Sequence, residues 1–317
     1  MSPGVTLHHL LTGWQTGPLS FVALVLELVS AVWYLVSVRR LGRKGRPWSP
    51  WRTASFLTGV VWIFIATGSG VAYYDDSVFV MHVIQHLVLM NVAPIFLALG
   101  APVTLALQSS ERRTQQGILK VLHNRVFELA THPIIVAAAT YLTMIVYFLT
   151  PVYAISERHP LFHDYIHLQF LLVGCFYWWP VVGRDPTRWR MSYPVRLAYL
   201  ATGIPVNVIL GVALVNSHNS IDAAIHTVGD THAGGALMWG GGELLLLASM
   251  AVMFVQWSRY DRREAARIDR RLDRELAAEG ARLAGGTVAA STTQPVFGRP
   301  GRPGRPGREA PPGPDTG

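Results

Sequence analysis

Apolar residues in this chain fall in blocks of roughly 20, the length of α-helix that crosses a bilayer's hydrocarbon core. Within that core every backbone N–H and C=O needs a partner inside the chain, and a helix supplies one for each. Seven blocks qualify: Pro18–Val38, Thr53–Ala72, Val78–Leu107, Pro133–Pro151, Tyr165–Val182, Val195–Val215 and Ala233–Trp257. The expected fold is all-α, a polytopic membrane bundle of seven transmembrane helices. Only 15% of the 317 residues are charged and 50% are hydrophobic, too little charge for a soluble chain of this length. The third block is overlong and contains Pro94 and Pro102, so a kinked or tilted helix is expected there. Tyr73–Tyr74, Trp178–Trp179 and Trp257–Tyr260 sit at block ends and read as interfacial anchors.

The net charge of +8 does not point to nucleic acid, because the basic residues flank the apolar blocks or lie in the terminal tail. Six lie between Arg39 and Arg52, four between Gln108 and Thr131, four between Gly183 and Arg196, and twelve after Ser258. Only Arg158 falls on the other side. The positive-inside rule then places the N-terminus outside and the C-terminus in the cytoplasm. The first fifteen residues carry no Lys or Arg, so the first block reads as a retained span rather than a cleaved leader.

The organisation that follows is an extracytoplasmic N-terminus (1–17), a transmembrane domain (18–258), a cytoplasmic helical extension (259–284) and a Gly/Pro/Arg-rich tail (285–317). The tail, with its Gly-Arg-Pro repeat at 298–308, cannot bury a core and reads as disordered. Cys175 is the only cysteine, which excludes an intrachain disulfide and any paired-thiol site.

Of the twelve histidines, ten fall at or near the outer face: His8, His9, His82, His86, His159, His163, His167, His218, His226 and His232. His82-Val83-Ile84-Gln85-His86 opens the third span and His163-Asp164-Tyr165-Ile166-His167 opens the fifth. Residues four apart share one helix face, about 6 Å apart along the axis, so each pair can ligate one metal ion or face a metal pair. His232 opens the seventh span at the same depth. Met90 continues the stripe one turn below His86, and imidazole beside thioether suits copper, particularly Cu(I), although Met90 alone reads better as packing. Asp164 and Asp230 are candidates to accept a ring N–H or to ligate. The first metal set is therefore His82, His86, His163, His167 and His232.

Glu27 in the first span and Glu243 in the seventh lie deep in apolar sequence without an in-span cation. They mark either a proton or metal path or a structural hydrogen bond to Asn91, Asn207 or a backbone carbonyl. Gly240-Gly241-Gly242 beside Glu243 permits close helix approach. A zinc-protease motif is absent, because Val83 and Asp164 follow His82 and His163 where that motif has Glu. The HxxxH boxes resemble those of membrane di-iron oxygenases, but the HxxHH box of that family is missing and these pairs face outward. Bis-histidine haem ligation would leave the i+4 partners unexplained.

Several stretches, in order, are similar to the CtaG-like cytochrome c oxidase assembly factors of bacteria. They are Met81-His82-Val83-Ile84-Gln85-His86-Leu87 through Ala93-Pro94 and Leu99-Gly100-Ala101-Pro102; Tyr177-Trp178-Trp179-Pro180-Val181-Val182-Gly183-Arg184-Asp185-Pro186; Ser192-Tyr193-Pro194-Val195-Arg196-Leu197; and Gly234-Gly235-Ala236-Leu237-Met238-Trp239 with Glu243. The resemblance covers about residues 20–270. It implies a non-enzymatic factor in the bacterial plasma membrane that matures the haem-copper oxidase by supplying copper at the outer face. The partners it implies are oxidase subunits, other copper chaperones and the lipid bilayer, with no nucleic acid. The functional candidates it implies are His82, His86, His163, His167 and Asp230. Where this chain has Asp230-Thr231-His232, the family has Asp-Gln and another residue, so His232 is particular to this chain. A haem- or metal-dependent redox protein and a metal or proton transporter stand as the alternatives. The charge pattern makes a direct prediction: alkaline phosphatase fused after Ser77 is active, and fused after Glu111 is inactive.

Overall fold

The computed structural model describes His8, residues 13–14 and residues 18–291, with side chains at 8, 13–14 and 20–282. His9 and the Gly-Arg-Pro repeat lie outside the described residues. The described residues form helices joined by short connections, with no strand among them. Six helical stretches are long and apolar enough to cross a membrane: Ser20–Arg43, Pro50–Tyr74, Phe79–Ser109, Pro160–Val182, Tyr193–Val215 and Val228–Arg282. Six of the sequence blocks fall on these, and the fourth falls on a shorter apolar helix, Pro133–Leu149.

In chain order the helices are α1 (Pro18–Arg43), α2 (Pro50–Gly68), α3 (Gly70–Tyr74), α4 (Phe79–Leu87), α5 (Ala93–Leu99), α6 (Pro102–Ser109), α7 (Arg112–Leu122) and α8 (Arg125–Ala130). They continue with α9 (Pro133–Leu149), α10 (Val152–Glu157), α11 (Pro160–Val182), α12 (Tyr193–Ala201), α13 (Gly203–Val215) and α14 (Val228–Ser291). Residues up to Trp257 form one compact unit and those from Ser258 a second. Helix α14 is continuous through the boundary expected at 284/285.

The third span is built in three pieces. Between α4 and α5 the chain makes a π-helical turn, Val88–Val92. Its cause lies in the sequence, because Pro94 has no N–H to give the Met90 carbonyl four residues back. A widened turn absorbs that loss without ending the helix. A sharper break follows at Gly100–Ala101, where Ala101 takes a left-handed conformation (φ 51°) before Pro102 starts α6. Each half of the span takes its N-terminal cap from far along the chain. Asp230 accepts from the Phe79 and Val80 N–H groups at 2.7 and 3.4 Å. Asp185 accepts from the Val103 and Thr104 N–H groups at 3.2 and 2.7 Å, and from the Thr104 hydroxyl at 2.6 Å. A carboxylate at a helix start satisfies donors that have no intrahelical partner and complements the helix dipole.

Helix α11 lies against α5 and the π turn, and Gly174 is what lets it do so. A Cβ placed on Gly174 would lie 2.3 Å from the Met90 carbonyl oxygen. One core cluster is aromatic and sulfur-rich: Phe79, Met90, Met144, Tyr147, Phe148, Tyr153, Phe170 and Met238 pack together. Two of the expected interfacial anchors are core residues instead. Tyr74 is 1% and Trp178 2% exposed, and Trp178 packs with Val136, Tyr177 and Leu200, so only Tyr73 of its pair faces outward. Block-end position alone does not distinguish an anchor from a core aromatic.

The contact at Gly174 is with backbone, which cannot rotate away. Gly174→Ala is expected to destabilise the protein by about 1–3 kcal/mol. Gly240→Ala, at a position with nothing within 4 Å, serves as the neutral control. Thermal unfolding of the detergent-solubilised chain measures both.

Candidate metal centre

Helices α4 and α11 each bring two imidazoles to one face, as i,i+4 spacing requires. Ring centroids are 4.3 Å apart for His82 and His86, and 4.4 Å apart for His163 and His167. The two pairs meet across the helix interface, with His82 and His163 rings at 5.3 Å and His86 and His167 rings at 5.3 Å. The Nε2 atoms of His163 and His167 are only 3.0 Å apart. A tetrahedral ion with bonds of about 2.0 Å needs ligand atoms about 3.3 Å from one another. Asp75, His82, His163 and His167 bring one ligand atom each to within 4.8 Å of all the others.

Carboxylates surround these rings. Asp75 Oδ2 lies 3.8 Å from His163 Nε2 and 3.9 Å from His167 Nε2. Asp76 Oδ1 lies 3.3 Å and Glu157 Oε1 3.7 Å from His163 Nδ1. Glu157 also lies 3.8 Å from His82 Nδ1. Among the described residues these three carboxylates have only histidines as ionic partners, since the nearby Arg158 pairs with Asp222 at 3.7 Å. Burial pushes the Asp75 carboxyl well above its usual range, reinforced by the neighbouring Asp76 charge. Burial likewise raises Glu157 to about 7, against the opposing pull of His163.

Polar atoms at the centre are also short of partners. Asp75 Oδ1, His82 Nδ1, both nitrogens of His86 and both oxygens of Glu157 are buried without a hydrogen bond. An uncompensated buried polar atom costs about 1–3 kcal/mol, and a cation would satisfy those of the six that present a lone pair. The donors are imidazole and carboxylate with no thiolate, a set that fits Cu(II) or Zn(II). Copper therefore fits, and the fit does not depend on a thioether.

Aromatic hydroxyls hold the rings from behind. The Tyr147 hydroxyl lies 3.2 Å from His82 Nε2 and 3.0 Å from the Ser156 hydroxyl. The Tyr153 hydroxyl lies 2.7 Å from His226 Nε2, and His226 Nδ1 lies 3.3 Å from Asp230 Oδ2. The chain Asp230–His226–Tyr153 thus runs from the α4 cap to a ring packed on His82 at 5.0 Å. A cavity of about 670 Å³ opens beside the centre, lined there by Asp75, Asp76, Glu157, His163, Asp164 and His167.

The residues chosen from sequence divide as follows. His82, His163 and His167 share a ligand-sized group, and His86 packs beside them on Phe170. His232 is placed elsewhere, its Nε2 2.8 Å from the Ser217 carbonyl oxygen. Asp230 caps α4, Asp164 lines the cavity and Met90 sits in the apolar core. Glu27 accepts from the Thr67 hydroxyl at 3.0 Å and faces the same cavity. Glu243 Oε1 is buried without a partner. Sequence reasoning missed Asp75, Asp76, Glu157, Tyr147 and Tyr153. The available signal was that an acid shortly precedes each histidine helix, Asp75-Asp76 before α4 and Glu157 before α11.

A family model described as the cytochrome c oxidase caa3 assembly factor matches residues 32–260. An uncharacterized protein of Mycobacterium bovis and one of Mycobacterium tuberculosis are each 30% identical over 289 residues, 86% of this chain and 43% of theirs. An uncharacterized protein of Mycobacterium leprae is 30% identical over 267 residues, 78% of this chain and 40% of its own. The chain thus spans less than half the length of these relatives. No solved structure matches it.

Asp230 touches the ligand helix only through backbone, so its role is positioning. Asp230→Ala is expected to cost about 1–2 kcal/mol of stability and to weaken metal binding. Asp230→Asn, which keeps an acceptor, is expected to recover most of both. Unfolding in detergent and metal titration read the two effects.

Proposed function

Because the chain belongs to the cytochrome c oxidase caa3 assembly factor family, we propose that its histidine–carboxylate centre binds copper and supplies it to the haem-copper oxidase at the outer face of the bacterial plasma membrane. One observation carries the metal part: imidazoles from two helices and a carboxylate from the turn before the first of them converge within ligand distance, with buried atoms among them that lack a hydrogen bond. Structural polar clusters normally satisfy their members. The copper and the oxidase client come from the family, and the donor set is compatible with both.

The same reading includes a seven-span topology with the N-terminus outside. The Pro133–Leu149 helix has 17 residues and measures about 25 Å at 1.5 Å per residue, at the short end of a spanning helix. Counting it as a span places the loop acids, the HxxxH openings and Arg158 on one face. It leaves every other Lys and Arg on the opposite face. A metal centre at the outer end of α4 and α11 then faces the compartment in which the copper would be delivered.

The residues would divide the work. His82, His163, His167 and Asp75 hold the ion, His86 offers a neighbouring imidazole, and Tyr147 fixes the His82 ring. Oxidase subunits and other copper chaperones are the partners this role requires. Purified protein is expected to carry copper above background, and His82→Ala with His163→Ala is expected to lower that copper at least tenfold. A deletion strain is expected to lose oxidase activity and to regain part of it with added copper. Copper at background in the wild-type protein would refute the reading.

A further inference from the structure

His163 belongs to two donor groups at once, and the atoms it offers them differ. Its Nε2 faces His167 Nε2 at 3.0 Å and Asp75 Oδ2 at 3.8 Å. Its Nδ1 faces Asp76 Oδ1 at 3.3 Å and Glu157 Oε1 at 3.7 Å. The lone pairs of the two ring nitrogens diverge, so one ion cannot use both. We propose that the centre holds two divalent transition-metal ions bridged by the His163 imidazole, the second bound by His163 Nδ1, Asp76 and Glu157. The proposal rests on the metal-centre reading above and extends it to a second ion.

The usual role of a ligating histidine's other nitrogen is to donate its one proton to a single carboxylate or carbonyl. Here Nδ1 faces two carboxylates from two different segments, one before α4 and one at the end of α10. A single N–H satisfies one oxygen and leaves the rest. The Glu157 side chain is 1% exposed, and neither of its oxygens has a hydrogen-bond partner. No Lys or Arg among the described residues pairs with it or with Asp76. A buried carboxylate in that position needs a proton or a metal ion. His82 Nδ1, itself unpartnered, lies at the seam, 3.8 Å from Glu157 Oε1.

The two positions differ in character. The first is three imidazoles and Asp75, all but His167 at most 9% exposed in their side chains, with the His82 ring packed on Phe79, Tyr147 and Tyr153. The second is two carboxylates and one imidazole beside the cavity, with the Asp76 side chain 62% exposed. Oxygen-rich donors suit Cu(II), Zn(II), Fe(II) or Mn(II) and lack the soft ligand that selects Cu(I). Filling the second position displaces the remaining ring proton to solvent and leaves a bridging imidazolate, so uptake of the second ion releases one proton.

Cu(II) is the probe, because coupling between bridged ions makes the pair visible by its missing spin. The full chain, purified in detergent, is loaded with Cu(II). Copper per chain is measured by mass spectrometry of the metal, and spins by integrated electron paramagnetic resonance. The expected result is two coppers per chain with far fewer than two spins. Glu157→Gln and Asp76→Asn are each expected to give one copper per chain with one full spin. Asp76→Asn alters an exposed side chain and does not test core packing. One copper per chain with a full spin, unchanged in both variants, would overturn the second ion and leave the metal centre standing. Two coppers with two full spins would overturn the bridge. No bound copper would refute the metal-centre reading itself.

Discussion

Carboxylates and imidazoles are buried together at one end of the α4–α11 contact, and among the described residues no lysine or arginine pairs with them. Asp75 and Glu157 lie within 4 Å of His82, His163 or His167. Desolvating such groups is costly, and histidine alone is a weak counter-ion. A soluble protein could admit water or a basic side chain. Here Phe79, Phe148, Phe170, Tyr147 and Tyr153 pack against the His82 and His86 rings. A cation from outside is the simplest way to balance the group. It explains why the acids and the histidines are found in the same place.

Holding that centre together requires the third span to be discontinuous. A straight helix would carry His82 and His86 correctly, but Pro94 would leave the Met90 carbonyl unpaired in mid-helix. The π turn moves the defect to the face where Gly174 packs, so α11 approaches closely where His163 and His167 must meet the α4 pair. The caps complete the arrangement. Asp230 reaches from the start of α14 to the first turn of α4, and Asp185 does the same for α6 from the loop after α11. A residue 151 positions further along the chain thus holds the start of the helix that carries His82 and His86.

Much of this was legible in the sequence. Length and hydropathy marked the order of the apolar helices, six long enough to span and a seventh shorter, and i,i+4 spacing put each histidine pair on one face. The family motifs also carried the fold. What the sequence could not show was which outer residues turn inward. His232 opens an apolar block as the other histidine pairs do, yet its ring reaches the Ser217 carbonyl instead. Asp75 and Asp76 belong to a connection and Glu157 to the last turn of the short helix α10, where no periodicity assigns a face. His226 looked like a loop residue and is buried between Tyr153 and Asp230. Trp178 and Tyr74 had the block-end position of anchors and became core, because burial depends on what a helix packs against rather than on where it ends.

The ligand chemistry bears on the proposed role as well as on the ion. A factor that supplies a metal must release it, so its donors should exchange. Thiolates hold copper and zinc tightly and leave reluctantly, and the chain's single cysteine, Cys175, lies away from the centre along the cavity. Imidazole and carboxylate are weaker donors whose hold falls as they gain protons. Asp76 is largely exposed while Asp75 is buried, so the donors run from solvent toward the interior. Such a gradient gives an ion a place to arrive before it is enclosed, and a client the same place from which to withdraw it. A site built for permanent retention would bury every ligand and satisfy every one. This one leaves both nitrogens of His86 without a hydrogen bond beside the proposed ligands. That is the arrangement expected where a metal passes between ligands rather than resting on four of them.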